Sequence, residues 1–254
     1  MDLGLRDRVV LITGAGGGVG PTLGAAFAAE GAAVALHHRS AAERASRATA
    51  AAAAIVAGGG RAMAVAADLT SSDQVAAMIA SIERELGAVG VLVTATSAYR
   101  SDPFAEMTDD SWSAVIDDML GATFRVDRAV VPGMRAAGWG RIVNVAARSG
   151  LVGVAGSAHY AAAKAGIVGL SASLAKELGP DGILVNAVAP TQIVSEVDGV
   201  PSITTERQAT LARSIPLRRV AGAADLASLV VWLGSAANTY VSGETISLTG
   251  GAQT

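Results

Sequence analysis

The sequence predicts a doubly wound α/β protein, with a parallel sheet of about seven strands and helices on both faces. Three observations carry this expectation. Short β-branched runs alternate with longer alanine-rich stretches of helical character, the pattern of repeated βα units. Most of the short runs are almost continuously apolar, as strands covered on both faces are. The first run leads straight into a glycine-rich turn and then a helical stretch. The 254 residues are 51% hydrophobic and 16% charged, and no repeat, Pro-rich linker or charge block divides them. One domain over residues 1–254 is therefore expected.

The strands are read, in order, at Arg8–Thr13, Ala33–His38, Ala62–Ala66, Val89–Val93, Arg141–Val145, Ile183–Val188 and Thr245–Leu248. Helices are read near Val19–Glu30, Ala41–Ala57, Ser72–Leu86, Asp109–Ala136, Ser157–Leu178 and Ala223–Leu233. Ser71 or Ser72, and Thr108, precede acidic residues and read as helix N-caps. The Ala48–Ala57 run is an outer helix built on the best helix former and closed by Gly58-Gly59-Gly60. The segment Pro190–Arg213 has weak periodicity and contains Pro201, and is read as a substrate-covering loop with short helices.

Composition excludes several function classes. Nineteen basic against twenty-two acidic residues leave a formal charge of −3, without the basic excess of a general nucleic-acid binder. With no cysteine there is no disulfide framework, thiolate metal site or Cys nucleophile. Three histidines, His37, His38 and His159, are too few and scattered for a metal cluster, so no metal is expected. The mean hydropathy of +0.45 raises the question of a membrane span. The longest uncharged stretch, Leu226 to Gly243, is interrupted by Gly234 and Asn238, and the N-terminal segment carries charges where a signal peptide has its apolar core. A soluble, cytoplasmic protein is expected, with neither nucleic acid nor membrane as a partner.

The first turn reads Thr13-Gly14-Ala15-Gly16-Gly17-Gly18-Val19-Gly20. Glycines let the chain turn sharply and bring backbone N–H groups to a pyrophosphate, which then sits at a helix N-terminus. Pro21 falls early in that helix, where a missing N–H costs little. The second strand ends at His37-His38-Arg39-Ser40 with no acid between Val34 and Ser40. A carboxylate there would favour NAD, whereas Arg39 and Ser40 suit a 2′-phosphate. The cofactor expected is thus NADP(H), with NAD(H) as the alternative.

These residues, together with Tyr160-Ala161-Ala162-Ala163-Lys164, make the chain resemble the short-chain dehydrogenase/reductase family over essentially its whole length. The resemblance implies a Rossmann-type fold and an oxidoreductase that acts on a small-molecule carbonyl or alcohol. It implies cofactor contacts from Gly14, Gly16, Gly18, Val19, Gly20, Arg39, Ser40, Asp68, Leu69, Lys164 and Pro190, and a homo-oligomer, dimer or tetramer. Asp68 takes the adenine-side role, and Asn186-Ala187-Val188-Ala189-Pro190 resembles the segment before the family's Pro-Gly turn. Tyr160 and Lys164, at i and i+4, share a helix face. A free phenol, with a pKa near ~10, is a poor acid–base group at neutral pH, and a nearby ammonium is expected to lower that value. Tyr160 and Lys164 are the catalytic residues implied.

The chain also departs from the family pattern. Thirteen residues before Tyr160, where the family has a catalytic Ser, stands Ala147. The segment Trp112–Leu120 carries Met119 where the family has its catalytic Asn, and Thr94-Ala95-Thr96-Ser97 replaces Asn-Asn-Ala-Gly. Ser149, Ser157, Ser97 and Tyr99 are candidates to supply the lost hydroxyl, although each taken singly reads first as a locally bonded loop hydroxyl. Ser149 would share a strand face with Ala147 if the fifth strand ran on. His159 should point away. Ser195 stands near a family Thr that contacts the cofactor. The apolar residues Ile193, Val194, Val197, Ile203 and Leu211 suggest an apolar substrate, and Trp112, Phe124 and Trp139 suit either subunit contacts or the core. The reading favoured is an NADP(H)-dependent oxidoreductase. The alternatives are non-standard chemistry on this scaffold (C=N or C=C reduction, cyclisation, dehydration or isomerisation) and a catalytically inactive sensor or subunit.

Overall fold

A computed structural model of the chain describes residues 2–39, 41–197 and 199–252. Six strands, β1 (Val9–Thr13), β2 (Ala33–His38), β3 (Arg61–Ala66), β4 (Val89–Thr94), β5 (Gly140–Val145) and β6 (Ile183–Pro190), are joined by a C-terminal strand, Thr245–Leu248. All seven form one parallel sheet in the order C-terminal strand, β6, β5, β4, β1, β2, β3. β1 pairs with both β2 and β4, so the chain reverses direction across the sheet beside β1. In such sheets ligands bind outside the carboxyl ends of the strands at that reversal.

The helices are α1 (Gly20–Ala29), α2 (Ala42–Ala57), α3 (Ser72–Glu85), α4 (Asp109–Ile116), α5 (Ala122–Ala137), α6 (Ser149–Val152), α7 (Ala158–Leu178), α8 (Thr205–Ala212) and α9 (Ala223–Leu233). Side chains alternate across a strand, and β1 shows the result. Val10 and Ile12 pack with Leu23 and Phe27 of α1 and Val230 of α9. Val9 and Leu11 pack with Val75 and Ile82 of α3 and Val126 and Val130 of α5. Both faces are dry, which is why these strands read as unbroken apolar runs. Ser71 caps α3 by accepting the Gln74 N–H, and Thr108 caps α4 by accepting the Ser111 N–H. Among the described residues no helix is long and apolar enough to cross a membrane.

Two expectations are corrected. The helix read as continuous over Asp109–Ala136 is split by a π-helical segment, Asp117–Gly121, between α4 and α5. One residue inserted into the i→i+4 ladder keeps the helical look of the sequence and rotates α5 relative to α4. The fifth strand ends at Val145, and Ser149 opens α6 instead of prolonging a strand face. The segment 190–213 holds α8, a short pairing of Ile193–Val194 with Ala221–Gly222, and a tight antiparallel pair, Glu196–Val197 with Val200–Pro201.

Candidate active site

Beyond the carboxyl ends of β1, β2 and β4 opens a cavity of about 730 Å³ lined by Gly14, Gly16, Gly18 and Val19 of the first turn. Gly14 lies at φ +70°, in the left-handed region, and a Cβ there would meet the Ala95 carbonyl oxygen at 2.8 Å. A Cβ on Gly18 would collide with the Ser195 hydroxyl. Gly20 does not line the cavity; it lets α1 begin against the Ala15 backbone. Among the described residues the remaining lining is mainly positive: Arg39, Arg44, Arg47 and Arg100 stand against Asp118. Arg39 and Asp118 form a bidentate pair at 2.7 and 3.5 Å. Ser40 lies outside the described residues.

His37 ties the turn down. Its Nδ1 accepts the Gly14 N–H (3.1 Å), so the proton sits on Nε2, which donates to the Ala67 carbonyl (3.0 Å). Burial drives its pKa down to about 4, and the imidazole is neutral at physiological pH. Leu69 lines the cavity. Asp68 does not: its Oδ1 accepts the Thr70 N–H and hydroxyl, bonds that hold the carboxylate below its ordinary range.

A second cavity, of about 640 Å³, holds Tyr160, Ala147, Arg148, Ser149 and Pro190. Tyr99 lines both cavities and meets the Tyr160 ring edge-on, 5.1 Å between centroids. Tyr160 thus lines the second cavity next to Tyr99, the residue the two cavities share. Lys164, one helical turn on, is buried behind it and donates to the carbonyls of Val145 (2.8 Å) and Thr96 (3.2 Å). Burial lowers its pKa to about 8. Burial also raises the Tyr160 phenol above its ordinary value, against the pull of hydrogen bonding from Ser97 and Ser149. This reverses the sequence expectation, because the Lys164 ammonium is spent on backbone carbonyls while the phenol is desolvated.

The other candidates separate. Ser157 is fully buried and donates to the Arg100 carbonyl (2.7 Å), so it does not line the cleft. His159 turns away as expected: its Nε2 meets Asp102 (3.2 Å) and its Nδ1 accepts the Tyr160 N–H. Met119 is fully buried and packs with Val115, Ala163 and Tyr160. Of the loop's apolar residues only Leu211 lines the second cavity. Ile193 joins the core, and Val197 faces the first cavity. The second cavity also carries Gln192 and Arg207, so its lining does not carry the apolar-substrate expectation. Trp139 is stacked beneath the Arg8 and Arg141 guanidiniums, at 4.0 and 4.6 Å, and belongs to the body of the protein.

The family model for short chain dehydrogenase matches residues 8–202. The chain belongs to the short-chain dehydrogenase/reductase family. Nodulation protein G of Azospirillum brasilense is 34% identical over 247 residues, covering 97% of this chain and 98% of the relative. The 3-oxoacyl-[acyl-carrier-protein] reductase FabG of Escherichia coli is 33% identical over 249 residues, covering 98% of each. Among solved structures, a gluconate 5-dehydrogenase from Burkholderia cenocepacia in complex with NADP and tartrate superposes with a TM-score of 0.88 at 29% identity, covering 99% of this chain and 97% of that one.

Sequence reasoning missed three groups around this short-chain dehydrogenase/reductase site. His37 was readable only as a strand-end residue, since its role depends on Ala67 arriving beside it. Asp118 was hidden by the π segment. Below the site, Thr94 donates to Asn144 (2.7 Å), whose amide donates to Asp127 (3.1 Å) and Ser171 (3.0 Å), all buried. Burial raises the Asp127 carboxyl to about 8, so it carries its proton at neutral pH. No spacing in the sequence signals that network.

Proposed function

We propose that this chain is an NADP(H)-dependent oxidoreductase that interconverts a carbonyl and an alcohol on a small substrate, with Tyr160 as the acid–base group and Lys164 in support. The observation that carries this reading is Tyr160 lining a cavity large enough for a small molecule, packed edge-on against Tyr99, which that cavity shares with a cation-lined one. The first cavity fits a phosphorylated dinucleotide. Its glycine turn admits close backbone approach, α1 begins there, and Arg39 ends a strand that lacks a carboxylate. The relative crystallised with NADP supports the same choice.

When bound, the nicotinamide nucleotide supplies or accepts the hydride. The chain's own work is with the proton. In the reductive direction Tyr160 Oη donates a proton to the substrate oxygen, and in the oxidative direction it takes one back. A phenol raised by burial keeps its proton at neutral pH, which suits the donor role. Lys164 Nζ has two donors fixed on Val145 and Thr96, and its third would hold a ribose hydroxyl. The segment 190–213 covers the site, placing Ser195 against the nucleotide turn and Leu211 against the substrate. Trp112 and Phe124, 41% and 44% exposed, are available for self-association into a dimer or tetramer.

Purified protein is expected to bind NADPH about tenfold tighter than NADH, worth ~1.4 kcal/mol, and to consume NADPH with members of a ketone and aldehyde panel. No nucleotide binding and no consumption would sink this reading. Turnover of imines or enones alone would favour the C=N or C=C chemistry that the Ala147 methyl leaves open. Asp118→Asn provides a second test. The Arg39–Asp118 pair is partly exposed and worth only ~0–1 kcal/mol, so a 2′-phosphate displaces the carboxylate at little cost. The variant should tighten NADPH binding by a few-fold and leave NADH binding unchanged. Weaker NADPH binding would instead show that Asp118 orients Arg39.

A further inference from the structure

We propose that Ser149 supplies the hydrogen bond to the substrate oxygen that Ala147 cannot, standing opposite Tyr160 in the second cavity. This rests on the carbonyl/alcohol reading above. Ala147 is 8% exposed and faces the cavity that holds Tyr160, and its methyl group offers no donor. Ser149 lines the same cavity two residues further on, as the first residue of α6.

The backbone fixes that hydroxyl in place. The Arg148 N–H donates to the Pro190 carbonyl (2.9 Å), and the Gly150 N–H donates to the Ala147 carbonyl (2.9 Å). The Ser149 carbonyl accepts the Gly153 N–H (2.9 Å). Gly150 is pressed so closely on α7 that a Cβ would lie 2.7 Å from the Lys164 carbonyl carbon and 2.8 Å from the Ala165 nitrogen. A residue with a side chain there would push α6 away from the helical turn that carries Tyr160 and Lys164. The missing Cβ therefore lets α6 lie against that turn, so that Ser149 and Tyr160 line the same cavity.

The competing hydroxyls are less suited. Ser97 lines the first cavity, which the nucleotide would fill, and not the second. Ser157 is spent on Arg100. A hydroxyl aimed where negative charge develops on a reacting oxygen contributes about 10²–10³ in rate, so one relocated donor is a meaningful share of catalysis. No covalent step is involved; the hydroxyl donates a hydrogen bond and keeps its proton.

The test compares Ser149→Ala, Ser97→Ala, Ala147→Ser and the Ser149→Ala/Ala147→Ser pair. Steady-state reduction with NADPH is read alongside NADPH binding and an ultraviolet titration of the phenol in the protein alone, with Tyr160→Phe used to subtract Tyr99 and Tyr240. Ser149→Ala should lower kcat about 10²-fold with NADPH binding unchanged, and should move the Tyr160 titration further upward. Ala147→Ser should restore most of that loss in the double variant. A kcat within about twofold of the parent, or a loss seen in Ser97→Ala instead, overturns the assignment. Were the parent protein inactive on every carbonyl, the reductase reading would fall, and the phenol titration would still decide whether Ser149 engages Tyr160. An unmoved titration would count against it.

Discussion

Tyr160→Phe is expected to lower kcat for carbonyl reduction by about 10²–10⁴-fold while leaving NADPH binding and the unfolding midpoint close to those of the parent protein. The substitution removes one oxygen. The ring that packs on Val115, Met119 and Ala163 stays, as does its edge contact with Tyr99, so the apolar cluster beneath the site is not disturbed. The first cavity does not use the phenol as lining, which is why nucleotide affinity should survive. What is lost is the Tyr160 hydroxyl that lines the second cavity. A fall in kcat and in kcat/KM by the same factor would mark an interaction made only in the transition state. Activity within a few-fold of the parent would remove Tyr160 from the chemistry and pass the proton to another group, Tyr99 first, since its phenol lines both cavities.

Most of the fold was legible in the sequence, because its cause is local and repeated. Strands buried on both faces must be apolar throughout, so Val9–Thr13 and Ala33–His38 stood out against the alanine-rich helices around them. The nucleotide turn was legible for a different reason: Gly14 needs a left-handed φ, and Gly18 and Gly20 sit against Ser195 and Ala15, so glycine is the residue that fits. Tyr160 and Lys164 were legible through the resemblance of Tyr160-Ala161-Ala162-Ala163-Lys164 to the family's motif; their helical spacing places them on one face. What was not legible depends on contacts between distant segments. Asp118 meets Arg39 across 79 positions from within a π segment that changes no residue type. Ser149 owes its position to the closeness of Gly150 to α7. The upward direction of the Tyr160 shift follows from the burial of the phenol, which the Tyr-x-x-x-Lys spacing alone does not contain.

The buried groups around the site divide by the work they do. Lys164 and Asp127 are held away from their ordinary protonation behaviour by burial, one behind the phenol and one in the network under β4 and β5. Both are costs to folding that a purely apolar core would not incur. In the proposed reaction Lys164 returns that cost as a positioned donor. Asp127, protonated at neutral pH, joins β4 and β5 to α5 and α7 through Asn144, which fixes the strand ends from which Thr96 and Val145 reach Lys164.

Acidification is expected to remove about 3 kcal/mol of stability through His37 alone between roughly pH 7.5 and pH 4. In the folded protein the imidazole titrates at about 4, against 6.5 when unfolded. Between those values the unfolded chain takes up a proton that the folded one refuses, so stability is complete above the unfolded value and declines as pH falls towards the folded one. The cause is geometric as well as dielectric. Nδ1 must accept the Gly14 N–H, and a protonated imidazole presents a donor to a donor. Gly14 begins the nucleotide turn, so protonation should loosen NADPH binding as pH nears about 4, before the rest of the fold gives way. His37→Gln, which keeps a polar side chain without titrating here, isolates the effect. Denaturant unfolding of parent and variant across this pH range should show the parent losing about 3 kcal/mol more than the variant. Parallel pH profiles for the two proteins would mean that the imidazole does not hold the turn.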